Sequence, residues 1–223
     1  MKKWLLRPIK PVRLSRALLI NSAIYFFLFA GVLSLGYVGM AYLDAHRYQQ
    51  SQRVNLEKQR LAPPSAPRFL SEGDMLGELQ VPRLQLDTIV VQGDSNATLK
   101  KAVGHLPDSA LPGQWGNVAL AGHRDTFFRS LKDIKVGDEI RLKTPERNFE
   151  YRVESIKIVG PRDVVVLKSL TGHNLTLLTC FPIYYVGPAP KRLVVRAREI
   201  ETPQQRVVDQ NAAKSGNSQQ LSF

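Results

Sequence analysis

Between residues 17 and 43 the chain carries no charged side chain, and its apolar positions leave no polar face. The stretch Ile20-Asn21-Ser22-Ala23-Ile24-Tyr25-Phe26-Phe27-Leu28-Phe29-Ala30 interrupts its hydrocarbon only with small polar residues. A bilayer core takes roughly 20 apolar residues as a helix, so a single transmembrane helix is expected over residues 17–43. From residue 75 the texture changes to short apolar segments separated by Gly, Pro, Asn and Asp: residues 76–81, 86–91, 117–121, 139–143, 149–159, 164–167, 174–179 and 192–198. Short strands at this spacing predict an all-β domain, a closed or nearly closed barrel. One short helix is expected over residues 97–103, introduced by Asn96 as its capping residue.

The connecting segments follow from composition. Residues 48–61 are rich in Gln, Arg and Glu and read as a continuation of the first helix into solvent, whereas Pro63-Pro64-Ser65-Ala66-Pro67 reads as an extended spacer. Beyond Glu201, Gln, Asn, Ser and Ala dominate, and a disordered tail is expected. The organisation expected is therefore a basic segment (1–16), a membrane helix (17–43), a tether (44–74), a β domain (75–201) and a polar tail (202–223).

Charge refines this picture. A formal net charge of +12 over 223 residues would ordinarily suggest nucleic acid. Here Lys2, Lys3, Arg7, Lys10, Arg13 and Arg16 all precede the first acidic residue, Asp44, and abut the uncharged run. That arrangement predicts a cytoplasmic N-terminus, a single pass through the cytoplasmic (inner) membrane and an extracytoplasmic β domain, with no nucleic-acid partner. A secretory signal has an apolar region of only about 7–15 residues, shorter than this run, so an uncleaved anchor is expected.

An exported domain makes the cysteine count informative. Cys180 is the only cysteine, so it cannot form an internal disulfide; it is a buried small hydrophobe, an intermolecular link or a reactive thiol. It ends Thr176-Leu177-Leu178-Thr179-Cys180, with His123 upstream in Ala121-Gly122-His123-Arg124-Asp125 and Arg192 downstream in Lys191-Arg192-Leu193-Val194-Val195. A thiol, an imidazole and a fixed cation are what acyl transfer through a thioester requires. Lys191 would replace Arg192 if the register slipped by one. Thr179 and the apolar run of Phe181, Tyr184 and Tyr185 are candidate substrate contacts, since extended peptides bind against apolar walls with few polar anchors. His105 and Asp125 are possible supporting residues; each also has a structural reading, a packed histidine and a turn cap. His46 and His173 read as solvated. No spacing suggests a metal site and no Gly-rich loop suggests a phosphate, so no cofactor is expected.

The chain resembles a sortase from about Leu76 to Arg198. The resemblance is carried by Val81-Pro82-Arg83-Leu84, Leu111-Pro112-Gly113, Gly116-Asn117-Val118-Ala119-Leu120-Ala121-Gly122-His123-Arg124 and Leu175-Thr176-Leu177-Leu178-Thr179-Cys180. The continuation Phe181-Pro182-Ile183-Tyr184-Tyr185-Val186-Gly187 is most similar to class D. The resemblance implies an eight-stranded barrel with neighbouring Cys and Arg strands. It also implies Cys180 as nucleophile, His123 as acid and base, and Arg192 as oxyanion stabiliser. The implied partners are a secreted protein with a C-terminal Leu-Pro-x-Thr-Gly-like (LPXTG-like) sorting signal, cut between Thr and Gly, and an amine acceptor of the cell envelope. The alternatives are the same site acting mainly by hydrolysis and a catalytically silent, membrane-tethered binding module. An L,D-transpeptidase would carry a Ser-x-Gly-Cys-type motif in place of Thr-Leu-Leu-Thr.

Overall fold

The computed structural model describes residues 16–62, 70–163, 172–185 and 187–200. The chain divides into two compact units, Met1–Asp44 and Ala45–Phe223. Helix α1 (Arg16–Leu61) begins in the first. All its residues up to Asp44 are exposed, including Phe26, Phe27, Leu35 and Met40. A helix apolar all round belongs either in a core or in lipid, and the described residues of this unit build no core.

In the second unit eight strands close into a barrel: β1 (Met75–Val81), β2 (Leu86–Gln92), β3 (Val103–His105), β4 (Gly116–Ala121), β5 (Glu139–Lys143), β6 (Asn148–Val159), β7 (His173–Phe181) and β8 (Lys191–Glu199). Their order around the barrel is β1-β2-β3-β4-β7-β8-β6-β5, with β5 returning to β1. Alternation decides which face turns inward. In β5, Ile140 and Leu142 are buried, while Glu139, Arg141 and Lys143 are partly exposed. Leu79, Val90, Val103, Leu120, Leu177 and Val195 join those two residues in one apolar core. Two pairs are parallel, β2 with β3 and β4 with β7. The second matters for chemistry, because it brings the C-terminal ends of β4 and β7 side by side.

The helix expected over residues 97–103 is shorter than the sequence suggests. Helix α2 spans only Asn96–Leu99, and Ser95, not Asn96, caps it, its hydroxyl accepting from the Thr98 N–H at 3.3 Å. Val103 opens β3, a strand too short to display alternation. Its Gly104 lies so close to the Gly93 carbonyl that a Cβ has no room there. The strand expected over residues 164–167 lies outside the described residues, as do the spacer at 63–67, the basic residues before Arg16 and the tail.

Residues 45–61 remain helical but do not simply run through solvent. Gln49 is buried: its side-chain oxygen accepts from the Ile89 N–H at 2.8 Å, and its side-chain nitrogen donates to the Lys101 carbonyl at 2.7 Å. The ladder between β2 and β3 begins only at Val90 and Val103, so this amide takes the place of the missing pair. Arg53 adds ion pairs to Glu78 and Asp87 at 3.2 and 3.0 Å. Leu56 is 2% exposed, and Tyr48 packs with Met75 on Ile89, Val91 and Ala102.

Candidate active site

The site is assembled where β4, β7 and β8 lie together. Ala121, the last residue of β4, stands beside Leu178 of β7. The Gly122 N–H continues the ladder to the Leu178 carbonyl at 3.1 Å, and the Thr179 hydroxyl donates to the Gly122 carbonyl at 2.7 Å. His123 follows directly, and its carbonyl accepts from the Phe128 N–H at 3.1 Å, closing the turn. Gly122 is required by space rather than by φ. A Cβ there would lie 2.8 Å from the fully buried ring of Phe128.

On the other side of β7, Cys180 is the direct cross-strand partner of Arg192, and Thr179 that of Leu193. Leu175, Leu177, Leu193 and Val195 point into the core, so Cys180 and Arg192, at the alternate positions, share the opposite face. The β4–β7 register ends at Ala121 and Leu178, each two residues before His123 and Cys180. The thiol is free and partly exposed. Arg192 donates from Nη1 to the carbonyls of Ala189 and Lys191 at 3.2 and 3.0 Å, and the rest of its fork has no partner among the described residues. Lys191 is exposed and stands opposite Phe181, so the arginine and not the lysine faces the cysteine.

The remaining residues singled out in the sequence take different places. Thr179, expected at the substrate, is buried, and its hydroxyl is committed to Gly122, so it fixes the strand pair. Phe181 turns toward the core side and lines an apolar cleft of about 390 Å³ with Leu131, Ile134, Ile158 and Leu193. Tyr184 and Tyr185 are exposed on the loop after Cys180, 73% and 48% accessible.

His105 is fully buried: Nε2 is 2.9 Å from the Ala110 carbonyl and 3.0 Å from the Ser109 hydroxyl, and Nδ1 is 2.8 Å from the Gln92 side-chain amide. Burial pushes its pKa down from the ordinary imidazole value, and the ring's contacts tie β3 to the loop before β4. Asp125 is exposed in its turn and makes no bond to His123 among the described residues. His173 donates from Nδ1 to the Gln114 carbonyl, 3.0 Å away. Among the described residues no three His, Cys, Asp or Glu side chains gather as a metal ion requires.

Arg124 is the residue that sequence reasoning passes over. Its guanidinium donates to the carbonyls of Pro182, Tyr185 and Gly187 at 3.2, 2.8 and 2.8 Å. Only its adjacency to His123 could draw attention to it.

Comparison with known proteins gives one consistent result. The family model for the sortase domain matches residues 79–200. Sortase D of Bacillus subtilis (strain 168) is 30% identical over 190 residues, covering 78% of this chain and 96% of its own. Among solved structures, a Clostridium perfringens sortase D5 transpeptidase shares the fold with a TM-score of 0.59 at 24% identity, covering 70% of this chain and 98% of its own. Sortase C of the same organism, solved with the C-terminal cell wall sorting motif, aligns with a TM-score of 0.56 at 29% identity over 66% of this chain and 86% of its own.

Proposed function

Because this chain belongs to the sortase family and is therefore a cysteine transpeptidase, we propose that it is a membrane-anchored enzyme that cuts an LPXTG-like sorting signal between Thr and Gly. It passes the acyl group to an amine of the cell envelope. Cys180 is the nucleophile, His123 the acid and base, and Arg192 the oxyanion donor. The observation that carries this assignment is the register: Cys180 pairs directly with Arg192 while the parallel β4–β7 ladder brings the His123 turn alongside.

In the first half-reaction the Cys180 thiol passes its proton to His123 and its sulfur bonds to the Thr carbonyl carbon. The C–N bond to Gly breaks, and the departing amine takes its proton from His123. A thioester is left on Cys180. In the second half an incoming amine attacks that carbon, gives a proton to His123 and expels the thiolate, which takes that proton back and restores the starting state. The negative oxygen formed in each half is adjacent to the Arg192 face, where a charged donor is worth more than in water. The cell wall sorting motif bound by the Clostridium sortase C supports the class of substrate. The exposed, uncharged part of α1 supports an anchor at 17–43 preceding a link at 44–74 and a catalytic domain at 75–201.

The test is a purified protein mixed with a labelled Leu-Pro-x-Thr-Gly peptide and a small amine. Wild type should yield the amine adduct with a thioester intermediate on Cys180, and Cys180→Ala should yield neither while staying folded. Turnover by Cys180→Ala would sink the thiol mechanism. Cleavage of unrelated peptides with no preference for the sorting sequence would sink the substrate assignment.

A further inference from the structure

We infer that Arg124 is a positioning residue that locks the loop after the nucleophile to the turn carrying the acid–base histidine, and so sets the separation of Cys180 and His123. Arg124 is the next residue after His123, and Pro182 lies two residues after Cys180. The bond from Arg124 Nη1 to the Pro182 carbonyl therefore ties together the two short stretches of chain that bear the reacting side chains. From Nη2 the same guanidinium reaches the Tyr185 and Gly187 carbonyls, both at 2.8 Å, and its carbon lies 5.7 Å from the centre of the Tyr185 ring. A second cation, from the segment following that turn, repeats the grip: Lys132 Nζ is 5.3 Å from the centre of the Tyr184 ring.

Three features separate this from an incidental surface contact. The partners are backbone carbonyls spread along the loop, so the bonds fix its path and not merely one side chain. Among the described residues no carboxylate shares the guanidinium, and each of its three hydrogen bonds goes to the loop. Both of its terminal nitrogens are engaged, whereas Arg192 engages only Nη1; this suits Arg124 to holding the frame and leaves the oxyanion to Arg192. Only a planar, forked cation can serve carbonyls at positions 182, 185 and 187 together, and an ammonium cannot reproduce that geometry. Displacing a reacting group by about 1 Å can cost on the order of 10²-fold in rate, so a slack loop should be felt in kcat.

The inference rests on the transpeptidase assignment of this site, and two measurements on the full-length protein keep the two apart. In Arg124→Gln, hydrogen exchange of the amides around residues 182–187 should quicken while the melting temperature and exchange in β4 and β7 stay close to wild type. With the labelled Leu-Pro-x-Thr-Gly peptide, kcat should fall about 10- to 100-fold with KM changing far less, and Arg124→Lys should recover part of the loss. Unchanged exchange in that loop would overturn the clamp whether or not the peptide is a substrate. Quickened exchange with unchanged kcat would overturn its catalytic role. If wild type fails to turn the peptide over while exchange responds as expected, the clamp stands and the peptide assignment falls.

Discussion

Arg124 and Arg192 both reach the neighbourhood of Cys180, but their donors are committed differently. Arg124 spends its guanidinium on three loop carbonyls, and Arg192 spends one nitrogen on two carbonyls of its own approach to β8. On the proposed mechanism the second is the arginine that meets the developing oxyanion. Removing a single such donor typically costs about 10²–10³ in kcat, and that loss is expected for Arg192→Ala. Lys191→Ala should cost little, because Lys191 pairs with Phe181 and its side chain is exposed. Arg192→Lys should rescue only partly, since a point charge lacks the planar fork. Steady-state kinetics of the three variants check this, and equal losses at 191 and 192 would show that the effect is structural.

At the scale of elements, residues 45–61 act as part of the barrel. Gln49 pairs an N–H and a carbonyl that the short β3 leaves open, and Gln49→Ala would leave the buried Ile89 N–H without that partner. An orphaned buried group costs about 1–3 kcal/mol. A chain beginning at Ala45 should therefore be measurably more stable to urea than one beginning at residue 70, and Gln49→Ala in the longer chain should erase much of that difference. Equal midpoints would mean the helix adds nothing to the barrel. The same segment marks the limit of what the sequence reveals. Strand β5 is legible to the residue, because Ile140 and Leu142 alternate with charges, and the family is legible because the neighbours of Cys180, His123 and Arg192 form a recognisable pattern. Gln49, β3 and Arg124 are not. Each owes its role to a partner far along the chain or across a turn, Ile89 and Lys101 for Gln49, Gly93 for Gly104, Pro182 to Gly187 for Arg124, and local propensity carries no record of such partners. Thr179 is a related case: its place beside Cys180 suggests substrate, and strand parity turns its hydroxyl inward onto Gly122.

For the whole molecule, anchoring and chemistry are separable claims. The thiol, imidazole and guanidinium of the proposed mechanism all lie in the unit from Ala45 onward, whereas the exposed apolar run of α1 lies in the other. Six basic residues precede that apolar run and no acidic residue occurs before Asp44, a bias that holds an N-terminus in the cytoplasm. On the proposed topology, a reporter that works only outside the cytoplasm should be active when fused after Glu201, and the fusion should remain with membranes after a carbonate wash. Activity of a cytoplasm-only reporter at that position would reverse the orientation. A soluble exported product beginning between residues 41 and 75 would show that the apolar helix is removed. In that case the enzyme would search for sorting signals in solution rather than along the membrane, and the basic N-terminal segment would serve export alone.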